Sequence, residues 1–322
     1  MRTRAALDAA TVEALLTAAA AAPSIHNTQP WRFRLDPDSQ VLEVRSAPER
    51  SLLPLTDPMR RAQYLSVGAA VFNLRLAAVR LGWRPEVRLL PAPHDPGLLA
   101  SVRLTRPLGA VDQPSDPALY EAIALRHTSR MPFTGRPVPD PVVIQMINAA
   151  RAEGAHLDVP DIPGTRRLLR LTQAAEARNA VHADRAAEVR AWITAPGTDA
   201  SYGIPVTALG PQDASGRMPV RDFTGAWPAP RLPALRFERH AQVALLWTAH
   251  ERPQDWLGAG QALEHVLLTA TLRGVRTSML HQAMEWPDLR AAMAGSRRRR
   301  CPQLLIRFGY GPSGRSTPRA TP

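Results

Sequence analysis

Apolar side chains return at helical spacing in four stretches of this chain. In 9–22 (AATVEALLTAAAAA), Val12, Leu15, Leu16 and Ala19 fit one face of an amphipathic helix, and 140–153 (DPVVIQMINAARAE) has a similar pattern. Two longer stretches, 64–84 and 256–276, read as helices closed by Gly82 and Gly274. A shorter helix is expected over 117–126. Strand character appears between them. Segments 31–35 and 41–45 form one pair joined by the turn Asp36-Pro37-Asp38-Ser39, 84–90 and 99–105 form another, and 302–309 (PQLLIRFG) is a late buried strand. Helices mixed with strand pairs that are mostly not βαβ units predict an α+β fold.

The two long helices also resemble each other. At an offset of 192, seven of 21 positions are identical: Leu65/Leu257, Gly68/Gly260, Ala70/Ala262, Leu76/Leu268, Ala78/Ala270, Gly82/Gly274 and Arg84/Arg276. The shorter pair, 9–22 and 140–153, matches at an offset of 131. An internal duplication follows, with a first half over 1–110, a second half over 111–322 and a linker at 107–117. The two offsets differ by 61, so the second half carries an insertion of about that size. Residues 195–235, rich in glycine and proline from Gly197 to Pro233, are the natural place for much of it. A loop this long in a compact chain reads as a lid or a binding loop.

Composition narrows the chemistry. The hydrophobic content of 45% in 322 residues supports a sizeable core. All 40 basic residues are Arg, which removes Schiff-base lysine chemistry and the P-loop lysine together. The single cysteine, Cys301, excludes an internal disulfide and any multi-cysteine metal site. The nine histidines are scattered without metal-ligand spacing, and each reads as structural. No GxGxxG, HExxH or GxSxG arrangement occurs. The net charge of +12 raises the rival class of an Arg-rich nucleic-acid-binding module. The densest run, Arg297 to Arg300, lacks interleaved aromatics and reads as a solvated loop, so no nucleic-acid partner is expected. Asp8 and Glu13 interrupt the alanine-rich start, which therefore does not read as a signal peptide, and no stretch approaches 18 consecutive apolar residues. A cytoplasmic chain is expected.

Three segments remain as candidates for chemistry. Pro23-Ser24-Ile25-His26-Asn27-Thr28-Gln29-Pro30-Trp31 follows an apolar helix and precedes a strand, so it offers short polar side chains and backbone groups on a rigid scaffold. It also reads as a simple capping loop. Arg126-His127-Thr128-Ser129-Arg130 places two guanidinium groups around two hydroxyls, a set suited to an anion or to a helix C-terminus. The tail, with Arg315, Ser316, Thr317 and Arg319, is positioned to close over an anion or to fray.

Together, the motifs ArgHisThrSerArg-x-x-Phe (126–133), ProValPro (137–139), ProSer-x-x-Asn-x-GlnProTrp (23–31) and GlnAlaMetGlu (282–285) resemble the nitroreductase superfamily of flavoproteins. The His-Asn-Thr-Gln-Pro-Trp wording and the duplicated layout look most like its Acg branch, over nearly the whole chain. The resemblance implies a nitroreductase-like fold whose two halves imitate the usual homodimer, so that a monomer holds one FMN. By that resemblance Arg126, His127, Thr128, Arg130 and Arg319 approach the FMN phosphate and the N1/O2 edge. Pro23, Ser24, Ile25 and Asn27 meet the ring, and the turn of Gln282, Ala283 and Glu285 brings a backbone N–H to N5. The first half keeps the Pro-Ser loop and the second keeps the arginine segment. At offset 131 the second loop reads Gly154-Ala155-His156-Leu157-Asp158, so a second site is not expected. The implied chemistry is two-electron transfer from NAD(P)H through FMN to a nitroaromatic or quinone. No catalytic side chain is singled out, since the cofactor carries the chemistry. A lid over 195–235, as expected in the Acg branch, points instead to an FMN-holding protein with little turnover.

Overall fold

The computed structural model describes residues 7–50, 53–105, 117–195, 200–223, 232–295 and 299–321. Most of the expected linker, the boundary between the expected halves, parts of the expected lid (196–199 and 224–231), and Arg297 and Arg298 lie outside the described residues.

Helix α1 (Ala9–Ala20) starts at Asp8, whose carboxylate accepts from the Thr11 N–H at 2.8 Å. Strands β1 (Trp31–Asp36) and β2 (Val41–Ser46) follow, then α2 (Arg61–Arg80), β3 (Arg84–Leu89) and β4 (Leu98–Thr105). The second half contains α3 (Pro117–Leu125), α4 (Asp140–Ala152) and β5 (His156–Asp158). Next come α5 (Ile162–Val181), α6 (Ala183–Arg190) and four two-residue strands: β6 (Ile193–Thr194) beside β7 (Ile204–Pro205), and β8 (Gln212–Asp213) beside β9 (Ala234–Leu235). It closes with β10 (Gln242–Thr248), α7 (Pro253–Leu272), β11 (Arg276–Leu280), α8 (Pro287–Ala294) and β12 (Cys301–Gly309).

The duplication is visible in the topology. Helix, strand, strand, helix, strand, strand occurs as α1-β1-β2-α2-β3-β4 and again as α4-β5-β10-α7-β11-β12, with α8 added between β11 and β12. The two antiparallel sheets have the same order, β1-β2-β4-β3 and β5-β10-β12-β11. The residues between β1 and β2 are a tight turn, whereas those between β5 and β10 span 159–241. The insertion therefore begins well before the expected 195–235 and includes α5 and α6. Residues 154–158, expected as the second loop, are instead partly strand: His156, Leu157 and Asp158 pair with Trp247, Leu246 and Leu245 of β10. Alternating burial of this segment against the second core places it in the sheet.

Helices α2 and α7 cross at the centre, where two glycines let their backbones meet. A Cβ at position 68 would lie 2.9 Å from Gly260 Cα and overlap the Leu257 carbonyl oxygen. One at position 260 would lie 2.8 Å from Gly68 Cα and overlap the Leu65 carbonyl oxygen. These contacts exchange under the offset of 192 that relates the two helices in sequence. Leu257 packs into the first core and Leu65 into the second, so each repeat lends a leucine to its partner. Helix α2 is long and apolar enough in composition to cross a bilayer, but 83% of its apolar window is buried in the protein, where it runs through the first core and lends Leu65 to the second.

Candidate functional site

The site begins where α1 ends. The Ala21 and Ala22 carbonyls accept from Arg319 Nη2 at 3.3 and 3.2 Å, and Ala21 also accepts from Arg126 Nη2 at 3.2 Å. Cations at a helix C-terminus are electrostatically favoured. This brings the arginine segment, the tail and the Pro-Ser loop to one place.

The loop itself is strained. His26, Asn27 and Gln29 have φ of 47°, 57° and 49°, each costing on the order of 1 kcal/mol for a non-glycine residue. Side-chain bonds hold it. Asn27 Nδ2 donates to Gly203 O and Pro318 O at 2.9 Å each, and its Oδ1 accepts from Arg319 Nη1 at 2.8 Å. Gln29 Nε2 donates to Ser201 O at 2.6 Å, and its Oε1 accepts from the Ala320 N–H at 3.0 Å. The sequence therefore places Asn27 at the site, but its amide is engaged by the insertion and the tail.

The arginine segment runs beside β11. Ser129 N–H donates to Thr277 O at 2.9 Å and its hydroxyl to Pro312 O at 2.8 Å. Arg130 Nη1 donates to Ala208 O at 2.7 Å, with its guanidinium 5.3 Å from the Phe223 ring centre. Three residues on, Phe133 lies under Arg307, whose guanidinium is 3.8 Å from its ring centre. Arg307 Nε and Nη2 donate to Glu238 at 2.6 Å each, and that carboxylate also accepts from the Phe133 N–H at 3.0 Å.

These elements enclose a cavity of about 1290 Å³, counted out to its mouth. Pro23, Ser24, Ile25 and Asn27 line it from the loop, Arg126, His127, Thr128 and Arg130 from the arginine segment, and Gln282 and Arg319 from the remaining motifs. Ala283 and Glu285 are not in its wall; both are buried behind it. The sequence reading missed Ser66 of α2, His281 after β11, Arg307 of β12, and Met218, Arg221 and Phe223 of the insertion, all of which line the cavity. Their signal was polarity inside apolar runs, as at Ser66 and Arg307. The insertion residues carried none, because their placement is a long-range event. His26 was read as structural, yet it lines the cavity too.

The cavity has two electrostatic ends. At one, the Nε atoms of Arg126 and Arg319, with Arg276 nearby, are buried without hydrogen-bond partners. One carboxylate faces them: Glu264, fully buried and 3.4 Å from Arg126, with its pKa raised by burial against the pull of Arg126. Burial pushes Arg319 down to about 10, with Arg126 adding to the shift. Burial, then Arg126, Arg319 and Arg276, lowers the pKa of His127. At the other end Arg221 of the insertion pairs with Glu285, which also accepts from or faces His281 at 3.3 Å and Arg185 at 3.7 Å. Burial alone would raise Glu285, but Arg221 and His281 hold it at about 2. Burial lowers His281 to about 4, and burial with Arg221 lowers His26 to about 3.

No protein-family model matches the chain. Among curated proteins it is 34% identical to the "Putative NAD(P)H nitroreductase Rv3131" of Mycobacterium tuberculosis, over 95% of this chain and 86% of that protein. It is 30% identical to the "Putative NAD(P)H nitroreductase acg" of the same organism, over 97% of this chain and 92% of that one. The chain belongs to this nitroreductase family, with Acg among its members. A solved structure with some similarity is the FMN-dependent nitroreductase NfnB of Mycobacterium smegmatis in complex with NADPH, 18% identical, covering 63% of this chain and 94% of that chain at a TM-score of 0.40.

Proposed function

We propose that the cavity holds FMN and that the protein is an NAD(P)H oxidoreductase passing two electrons to a small acceptor of nitroaromatic or quinone type. Family membership supports this reading, and one observation carries it: the buried cationic end. Two guanidinium groups that line it, Arg126 and Arg319, have a buried Nε without a hydrogen-bond partner, and a single carboxylate, Glu264, whose pKa burial raises, stands 3.4 Å from Arg126. Buried unpaired donors are costly, and a phosphate dianion would satisfy them. Leu65, Leu263, Leu280 and Leu304 line the same cavity and suit the body of an isoalloxazine ring. The residues present therefore fit FMN.

Bound FMN would accept hydride from a nicotinamide and release the electron pair to the acceptor. The chain does the rest. Arg126, His127, Thr128 and Arg319 would hold the phosphate. Arg130, which lines the same cavity, would supply a cation to a reduced, anionic flavin. Pro23, Ser24, Ile25, Asn27 and Gln282 would wall the ring, with Ala283 and Glu285 in the buried turn that carries Gln282. A single chain supplies both the loop and the arginine segment, so a monomer suffices for one FMN.

A second reading, a flavin-holding protein with little turnover, is favoured by the bonds that tie the insertion down. Gly203 and Ser201 are held by Asn27 and Gln29, Ala208 by Arg130, and Pro219 by Gln282, whose Nε2 donates at 3.0 Å. Anaerobic addition of NADPH to the purified yellow protein separates the two. Bleaching within minutes supports the oxidoreductase, and a persistent flavin band supports the holder. Protein purified without flavin refutes both.

A further inference from the structure

Most polar side chains on the insertion side of the cavity are spent on the protein. Arg221 pairs with Glu285, His281 lies between Glu285 and Arg61, Gln282 donates to Pro219, and Arg130 donates to Ala208. His26 differs. The residue is 8% exposed and lines the cavity, and its buried Nε2 has no hydrogen-bond partner. The other cavity-lining side chains with a buried unpaired atom, Arg126 and Arg319, belong to the anion end. His26 therefore brings the neutral unpaired group to the cavity, among the described residues.

The loop is built to keep it there. His26 has a left-handed backbone, and the bonds of Asn27 and Gln29 on either side of Thr28 sustain that conformation. The imidazole meets Phe223 of the insertion edge to face, with centres 5.9 Å apart. Its charged and titratable neighbours are Arg221 from the insertion, His281 and Glu285 from the segment after β11, and Arg130 from the arginine segment. Arg221, His281 and Arg130 disfavour protonation of the ring, and burial does so most. Phe223, Met218 and Ile204 add an apolar wall.

We propose that His26 is the residue that selects the electron acceptor, by donating a hydrogen bond from its otherwise unpartnered Nε2–H to an oxygen of a small, uncharged, planar oxidant. This rests on the FMN reading above. A flat acceptor would pack against Phe223 and the apolar wall while His26 fixes its reducible oxygen. The neutral ring supplies no ion-pair partner for a carboxylated or phosphorylated acceptor. His26 here is a specificity determinant rather than a proton source, since an uncharged buried imidazole is a weak acid.

The test uses flavin-loaded protein photoreduced with EDTA as the sacrificial two-electron donor, which bypasses nicotinamide, then mixed anaerobically with 1,4-benzoquinone, which is reduced to hydroquinone while the oxidised flavin band returns. The wild type is expected to show a saturable rate. In His26→Leu the half-saturating quinone concentration is expected to rise about tenfold, the equivalent of one lost hydrogen bond of ~1.4 kcal/mol, with a smaller change in the limiting rate. His26→Gln, which keeps a polar group, is expected to recover most of that loss. Unchanged half-saturation in His26→Leu overturns the inference. So does equal impairment of both variants, or loss of flavin from both, either of which makes His26 a structural residue of the loop. A wild type that holds flavin but never saturates overturns the acceptor site alone, whereas a wild type without flavin overturns the FMN reading and this inference together.

Discussion

Replacing Gly68 with alanine tests the duplication at its tightest point. The new methyl would overlap the Leu257 carbonyl oxygen and sit 2.9 Å from Gly260 Cα. Both obstacles are backbone, so relief requires α2 and α7 to move apart. Alanine is favoured over glycine inside a helix by about 1 kcal/mol. Overpacking a core costs about 1–3 kcal/mol when side chains can yield, and the rigid contact here belongs at or beyond the upper end. The clash wins, and a net loss of about 2 kcal/mol or more is expected in urea denaturation. Gly260→Ala meets the mirror-image obstacle and should cost a similar amount. Once the helices have separated for one methyl, the second finds space already opened, so the double variant should lose less than the sum of the singles. Because Ala62, Leu65 and Ser66 of α2 and Leu263 of α7 line the cavity, flavin retention should fall along with stability. Gly82, with φ of 82° and no atom within 4 Å of its notional Cβ, provides the comparison. Alanine there should cost about 1 kcal/mol of backbone strain alone. A stable Gly68→Ala, or strictly additive losses, would refute the close reciprocal crossing.

Arg126→Ala should weaken FMN binding by roughly ten- to a hundredfold, from a loss of about 1.5–3 kcal/mol, while riboflavin binding changes little; equal losses for both ligands in a fluorescence titration would place Arg126 away from the phosphate. Glu238→Gln leaves Arg307, whose side chain is 2% exposed, without its counter-charge and should destabilise the protein by about 3–5 kcal/mol. The double replacement Glu238→Leu with Arg307→Met should cost less than that single change, and a larger cost by chemical denaturation would contradict the desolvation argument. The pH dependence of stability should carry a contribution from His26. Its folded pKa of about 3 lies below the ordinary 6.5, so the unfolded chain takes up the proton first. Stability present above pH 6.5 is then lost as pH falls toward 3, at up to about 1.4 kcal/mol per pH unit. His26→Leu should flatten the measured slope in that window by this amount, and an unchanged slope would mean that His26 titrates normally.

Periodicity alone located α1, α2, α4 and α7 and the strand pairs β1–β2 and β3–β4 to within a few residues. These elements rest on local signals: apolar spacing, Asp36 and Pro37 at a turn, and Gly82 and Gly274 beyond helix ends. The offset between the two long helices also named the glycines that meet at the crossing. The sheet position of residues 156–158 was not legible, because three residues carry too little periodicity and their strand is made by pairing with β10. Much of the insertion's extent escaped for a similar reason. Helices α5 and α6 are polar on most faces and pack on neighbours distant in sequence.

The candidate site divides along the same line. Sequence by itself determined the residue types that meet there: an arginine–hydroxyl segment, a Pro-Ser loop, and a chain with neither lysine nor a second cysteine for other chemistries. Tertiary structure alone decided how their valences are used. It committed the Asn27 amide to the insertion and tail, set Glu264 behind Arg126, and turned Glu285 away from the cavity to meet Arg221. It also left His26 with an unpaired nitrogen. The reason is that burial and hydrogen-bond satisfaction depend on which distant segments arrive at a point, and no local pattern along the chain records that.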